Sequence, residues 1–300
     1  MQPTQLVTQH YDATASAYQA RYNRDFLHDP QARYPANYFR LQLLLNAFIN
    51  KGLKRVIEVG VGEGTPLATL AKAGMEVWGF DISEQMVAQS KERMRENHLN
   101  PDHIGYGDIQ DPVTYAHFLR EGLFDGLMAM GVMPHVANDD NVLENMATMI
   151  RPGGSVFVEF RNKLFSLFTL NRLTHEFILN DLLAGVSGEL KQKVAQELES
   201  RLRMDMPPLR TQVEGSNAPG YDQILSRFHN PFEVVEQFKR HGFVDIQLRW
   251  YHYHPAMPYL AADNPGLFRE EAMALEHESS NWRGYFLCSA FVVEAVKAGG

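Results

Sequence analysis

Glu58-Val-Gly60-Val-Gly62-Glu63-Gly64, the glycine loop that completes the apolar run Arg55–Val59, decides the fold. A short buried strand, a glycine turn and a helix follow one another here, with Thr65-Pro66 opening the helix and Gly74 near its end. Proline suits a first helical turn, where its missing N–H costs nothing. Glycines at a strand's carboxyl end let the backbone approach a ligand closely. Working outward, Glu76–Phe80 reads as a second strand closed by Asp81. Ser83 caps a helix to about Asn97, ahead of Pro101. Ile104–Gly107 is a short third strand ending at Asp108, and Phe124–Met130 a fourth. Asp139 or Asp140 caps a helix to Ile150, and Arg151-Pro-Gly-Gly154 turns into a fifth strand, Ser155–Phe160. Strands alternating with helices give an α/β fold, a doubly wound and mainly parallel sheet with helices on both faces.

The flanks extend this core. Residues 10–50 read as helical, making 1–50 an N-terminal helical cap on a Rossmann-like core at 51–160. Residues 161–228 break the alternation with an aromatic-rich helical stretch, a polar helix near 189–203 and a loop from Pro207 to Gly220. An insertion this long after strand five exceeds a simple connection. It serves as a lid over a pocket or as a scaffold that also offers a homodimer contact. Asn230, Pro231 and Glu233 match a capped helix start, and that helix ends at Gly242. Phe243–Tyr253 and Tyr285–Val296 complete a seven-stranded sheet, so 229–300 holds the closing helix and the last two strands.

Composition bounds the function. Lys plus Arg is 28 against 36 Asp plus Glu, a net charge of −8. Binding to a phosphate backbone needs a basic footprint, so nucleic acid is not an expected partner. The single cysteine, Cys288, rules out an internal disulfide framework. No run approaches the ~18 apolar residues of a membrane span. The opening residues lack the basic and apolar blocks of a signal peptide. A soluble cytoplasmic enzyme is the expectation, with no membrane partner.

The loop also discriminates among cofactors. A dinucleotide fingerprint needs glycine at position 65, where Thr65 stands. Glu58 and Glu63 repel a phosphate and suit a ligand bearing a cation, such as an amino acid moiety or a sulfonium. Asp81 can accept two hydrogen bonds from a ribose diol, and Asp108 lies where an adenine amino group can be read. VIEVGVGEG (56–64), VWGFDIS (77–83), YGDIQD (106–111), FDGLMAMGVMPHV (124–136) and MIRPGGSVFVEF (149–160) stand in the order of the class I S-adenosylmethionine-dependent methyltransferases, which the chain resembles. YDATASAYQARY (11–22) resembles the opening of small-molecule members.

That resemblance implies S-adenosyl-L-methionine as cofactor. Glu58, Gly60, Gly62 and Gly64 would line its methionine part. Asp81 would hold the ribose, Ile82, Met86, Asp108 and Ile109 would frame the adenine, and Met130 and Gly131 would lie beside the sulfonium. Tyr11, Tyr18 or Tyr22 would close over it. The stretch Met130–His135 lacks the Asn/Asp-Pro-Pro-aromatic signature of base methylation, so a small-molecule acceptor is expected. The expected reaction is O-methylation of a sugar or natural-product hydroxyl, with N-methylation of an amine or amino sugar as the alternative. A non-catalytic cofactor-binding scaffold is the alternative from another class. A hydroxyl needs a base, for which His135, His229 and His252 are candidates. Glu159 and Arg161 share one strand face, to pair with each other or to meet a polar, anionic acceptor. Asn162, Arg172 and Tyr251 extend this rim. Trp250, His252 and His254 are expected on one face of their strand, Tyr251 and Tyr253 on the other. No third ligand accompanies His252 and His254 at metal-binding spacing, so no metal is expected.

Overall fold

The computed structural model describes residues 3–18, 22 and 34–299, without the side chains of 16–18. Seven strands form one sheet in the order β3-β2-β1-β4-β5-β7-β6. They are β1 (Arg55–Val59), β2 (Glu76–Asp81), β3 (Ile104–Tyr106), β4 (Phe124–Ala129), β5 (Ile150–Arg161), β6 (Phe243–Tyr253) and β7 (Cys288–Lys297). The first five are parallel, and β7 runs antiparallel to both β5 and β6. Almost every residue of β1, β2 and β4 is buried, as a parallel sheet covered on both faces requires. The strand order reverses at β1 and β4, which places the crevice for a ligand above their carboxyl ends.

Helices pack on both faces. α1 (Pro3–Tyr18) and α2 (Ala36–Asn50) precede the sheet; residues 19–21 and 23–33 of the expected helical cap lie outside the described residues. α2 buries Arg40, Leu41, Leu44 and Phe48 along one face. α3 (Thr65–Lys72) follows the glycine loop, and α4 (Glu84–Glu96) starts at Ser83, whose hydroxyl accepts from the Met86 N–H. The Ser83 hydroxyl also donates to Asp12, tying α1 to this corner.

Several expectations are corrected. The helix Asp139–Met149 is capped by Asn138, not by Asp139 or Asp140. Asp139 is instead buried and takes both Arg227 nitrogens at 2.7 and 2.9 Å, which anchors the end of the insertion. β5 begins at Ile150, with its Pro-Gly-Gly step absorbed as a register irregularity against β4. β7 begins at Cys288 because residues 265–275 and 284–287 are helical. Strand alternation fails at His252, whose backbone is left-handed with φ 59°; its ring still meets that of His254, 4.9 Å between centres, while Trp250 packs apart from both against Tyr285 and Phe291.

Asn162 faces no ligand. It is fully buried where β5 ends, and its Nδ2 donates to the carbonyls of Tyr285 and Cys288, both at 2.8 Å, and of Gly284 at 3.4 Å. Its Oδ1 accepts from the Leu164 N–H at 3.1 Å. The residue clamps the start of the insertion to the segment that leads into β7. Asn162→Ala leaves these buried carbonyls without a donor, and each such loss costs about 1–3 kcal/mol. Urea denaturation should show a drop of about 3 kcal/mol with unchanged m-value; a change below about 1 kcal/mol contradicts the clamp.

Candidate functional site

The glycine loop is shaped by one side chain. Asp81 Oδ2 accepts the Gly62 N–H at 2.9 Å and Oδ1 the Ser83 N–H at 2.9 Å. The loop after β1 is thereby fastened to the end of β2. Gly60 takes φ 75°, and a Cβ on it would strike Val132, so the turn needs glycine. Beneath the loop Glu58 is 1% exposed, and its Oε2 has no hydrogen-bond partner among the described residues. Burial pushes its pKa well up; the nearby Arg40 charge opposes this, while Glu63 and Asp81 add to it.

A cavity of about 730 Å³ opens above these strand ends. Gly60, Gly62, Asp81, Ile82, Met86, Asp108, Ile109, Met130 and Gly131 line it, all expected from the sequence. Tyr11 on α1 closes over it with Thr4 and Val7. Gly64 does not line it: a Cβ there would meet Ser90, so this glycine lets α4 approach the loop. Glu63 also turns away, accepting from the Thr65 backbone and hydroxyl and pairing with Arg93 at 3.1 Å. Of the two loop acids only Glu58 remains for a cationic ligand. The side chain of Tyr18 lies outside the described residues. Tyr22 does not line the cavity and instead meets Arg40 Nη2 through its hydroxyl at 2.8 Å.

A second cavity of about 1530 Å³ adjoins the first and shares Tyr11, Gly131 and His135 with it. His135 Nδ1 lies 2.7 Å from the Leu225 carbonyl and Nε2 lies 2.7 Å from the Tyr11 hydroxyl. A carbonyl only accepts, so Nδ1 carries the hydrogen and Nε2 accepts from Tyr11. Burial, the main cause, lowers the His135 pKa to about 4; the Arg161 charge lowers it further. The ring is neutral at ordinary pH.

The other expected residues separate. Tyr251 and Arg40 both donate to Glu159, each at 2.5 Å, so Glu159 is satisfied by Arg40 and not by Arg161. Arg161 lines the second cavity and lies 4.2 Å from the centre of the Tyr221 ring. His252 lines the same cavity, its Nδ1 2.8 Å from the Ser289 hydroxyl and its ring stacked on Tyr34. His229 is corrected: it is buried 3.3 Å from Asp139 and faces neither cavity. Arg172 is corrected too, since it holds the Pro207 carbonyl at 3.1 Å away from both cavities. The sequence reading missed Arg40, Tyr221 and Arg210. A signal existed for Arg40, a lone charge on the apolar stripe with Leu44 and Phe48.

Comparison with known proteins agrees with this geometry. A methyltransferase domain profile matches residues 56–154. The ubiquinone biosynthesis O-methyltransferase of Methylococcus capsulatus is 26% identical over 196 residues, 65% of this chain and 78% of that protein. Its namesake from Coxiella burnetii is 30% identical over 149 residues, half of this chain and 61% of the relative. Residues 56–154 therefore carry a methyltransferase domain, in line with the resemblance to the class I S-adenosylmethionine-dependent methyltransferases. The crystal structure of magnesium protoporphyrin IX methyltransferase from Synechocystis PCC 6803 with bound SAH shares its fold, with TM-score 0.53, 14% identity and coverage of 99% and 100% of the two chains.

S-adenosylmethionine fits the residues present. Glu58 is not among the lining residues, but its unpartnered Oε2 beneath the loop is the group that would suit the cofactor's ammonium, while Asp81 retains lone pairs for the ribose hydroxyls. Asp81 could do this only as an anion, and burial, its main perturbation, raises its pKa to about 6. Protonation as the pH falls through that value removes an acceptor that the cofactor needs. For S-adenosylhomocysteine, log affinity against pH should therefore steepen below about pH 6 in the wild type, by up to one further tenfold per unit. Calorimetry should show no such break in Asp81→Asn, together with affinity about 100-fold lower at pH 7.5. A wild-type profile without the break contradicts the assignment.

Proposed function

We propose that the enzyme transfers the methyl group of S-adenosylmethionine to a hydroxyl of a small molecule, a sugar or natural-product scaffold, held in the second cavity. The observation that carries this reading is the wall shared by the two cavities, where Tyr11 and His135 stand hydrogen-bonded to one another. The cofactor supplies a methyl group already activated by its sulfonium. The protein's part is to align an acceptor oxygen with that methyl, exclude water and take away one proton.

The Tyr11–His135 pair suits the last task. The Tyr11 hydroxyl already donates to Nε2, so its oxygen can receive the acceptor's proton while its own passes to the ring. A base this weak is sufficient. As the C–O bond forms, the acceptor O–H becomes strongly acidic and its proton moves late in the reaction. His229 has no part in this, and His252 lines only the acceptor cavity. The oxygen specificity carried in both relatives' names supports a hydroxyl over an amine. An amine would need only to be held neutral, which gives no use to the dyad.

A labelled-methyl assay against pooled small metabolites, with mass identification of the product, tests the proposal. Tyr11→Phe and His135→Asn should each lower kcat by about 100-fold and weaken S-adenosylhomocysteine binding by less than about tenfold. Undiminished transfer in both variants contradicts it, as does a product methylated only on nitrogen.

A further inference from the structure

The acceptor cavity has a charge character that the chain as a whole lacks. The protein carries a net −8, yet this cavity is lined by three guanidiniums, Arg40, Arg161 and Arg210, with Glu159 the one carboxylate among the described residues that line it. Glu159 is already matched by Arg40 at 2.5 Å. Arg210 is matched by Asp222, at 3.2 Å. Arg161 has no carboxylate within ion-pair distance among the described residues. Its neighbours are two aromatic rings, Tyr221 at 4.2 Å and Phe228 at 5.9 Å. A half-buried guanidinium without a counter-charge is costly to keep. Ring faces return part of that cost but leave its fork of N–H donors unused.

The surroundings hold this arrangement in place. Tyr221 lies between two guanidiniums, Arg161 at 4.2 Å and Arg210 at 4.6 Å. Its ring edge also meets His135 at 5.5 Å and His10 at 5.8 Å. The loop that carries Arg210 and Tyr221 closes on itself: the Gly220 N–H donates to the Thr211 carbonyl at 2.8 Å, and Gly220 lies so close to the Arg210 backbone that a side chain there would not fit. The Arg210 N–H donates to Asp222 at 2.6 Å. The insertion thus presents a built cationic wall on the side of the cavity that faces the proton-accepting dyad.

We propose that the methyl acceptor is an anion, a hydroxylated small molecule bearing a carboxylate or phosphate, and that Arg161 binds this group with Arg210 beside it. This rests on the methyltransferase reading of the shared wall and specifies its substrate class. The anionic group fixes the acceptor at the far end from the methylated hydroxyl, as a bidentate guanidinium contact can. It also offsets the field of Arg161, which helps to hold the His135 pKa down, so the ring accepts a proton more readily when acceptor is present than when the cavity is empty.

The test uses the full chain saturated with S-adenosylhomocysteine and a panel of paired probes: hydroxybenzoates and sugar acids against their uncharged amides, and sugar phosphates against the free sugars. Thermal shift finds binders and calorimetry measures them, and the shift given by S-adenosylhomocysteine alone reports the cofactor site separately. Binders should be acids, with the uncharged partner of each bound at least about tenfold more weakly. The carboxylate and phosphate arms show which oxyanion is used. Arg161→Gln should weaken the best acid by about 30-fold, the range of a lost charge-assisted contact, Arg161→Lys should recover part of this, and cofactor affinity should be unchanged in both. A panel in which no acid binds, or in which amides bind as well as acids, overturns the proposal. Methyl transfer to an uncharged hydroxyl with kcat/KM unchanged in Arg161→Gln also overturns it, while leaving the methyltransferase reading intact. Loss of the cofactor shift in the wild type would instead strike at that reading itself.

Discussion

Glu58 holds a carboxyl group where water does not reach, with one oxygen unpartnered, and the rest of the site is organised around that cost. Burial pushes its pKa well up, and a cation brought to it favours the anion. Arg40, reaching in from α2, is the charge that acts against its neutralisation, and it is itself committed to Glu159 and Tyr22. The loop directly above is held by Asp81, whose two oxygens take the backbone N–H groups of Gly62 in the loop and of Ser83 just past its own strand. A cavity so lined repels phosphate and welcomes an amino acid terminus attached to a nucleoside. The family's cofactor carries both parts.

The second cavity depends on the first through α1. Tyr11 belongs to both, and the polar contacts that fix α1 among the described residues include Asp12 to Ser83, Tyr11 to His135, and His10 Nδ1 to the Pro219 carbonyl at 2.8 Å. The last of these reaches the same inserted loop that carries Arg210 and Tyr221. One helix therefore couples the glycine-loop corner, the Tyr11–His135 pair and the loop of Arg210 and Tyr221. The Arg227–Asp139 pair and the Arg227 N–H to the Pro134 carbonyl, at 2.9 Å, hold the returning chain against the turn after β4. The insertion is thus built into the acceptor cavity as well as lying after strand five.

Local pattern made the cofactor half legible. The strand–glycine–helix step, the acids closing β2 and β3 and the turn after β4 all sit at strand ends, and strand ends in a doubly wound sheet converge on one crevice. What escaped the reading was decided at long range. Arg210 and Tyr221 lie in a Pro/Gly loop whose position is set by tertiary bonds, and Asn162 serves carbonyls more than 120 residues away. Glu63 looked like a ligand for a cation, yet helix capping and Arg93 had the first claim on it. His229 and His252 could not be told from His135 by sequence, because only the fold shows which histidine stands on the wall between two cavities.

Proton release on cofactor binding tests the account most directly. Burial pushes the Glu58 pKa well up in the empty site; a bound ammonium would stabilise its anion and draw the proton off. Calorimetric titration of S-adenosylhomocysteine at pH 7, repeated in buffers of different ionisation enthalpy, should show roughly one proton released per molecule bound, and close to none in Glu58→Gln, which should also bind far more weakly. Binding without proton release, at an affinity that Glu58→Gln leaves unchanged, would contradict it.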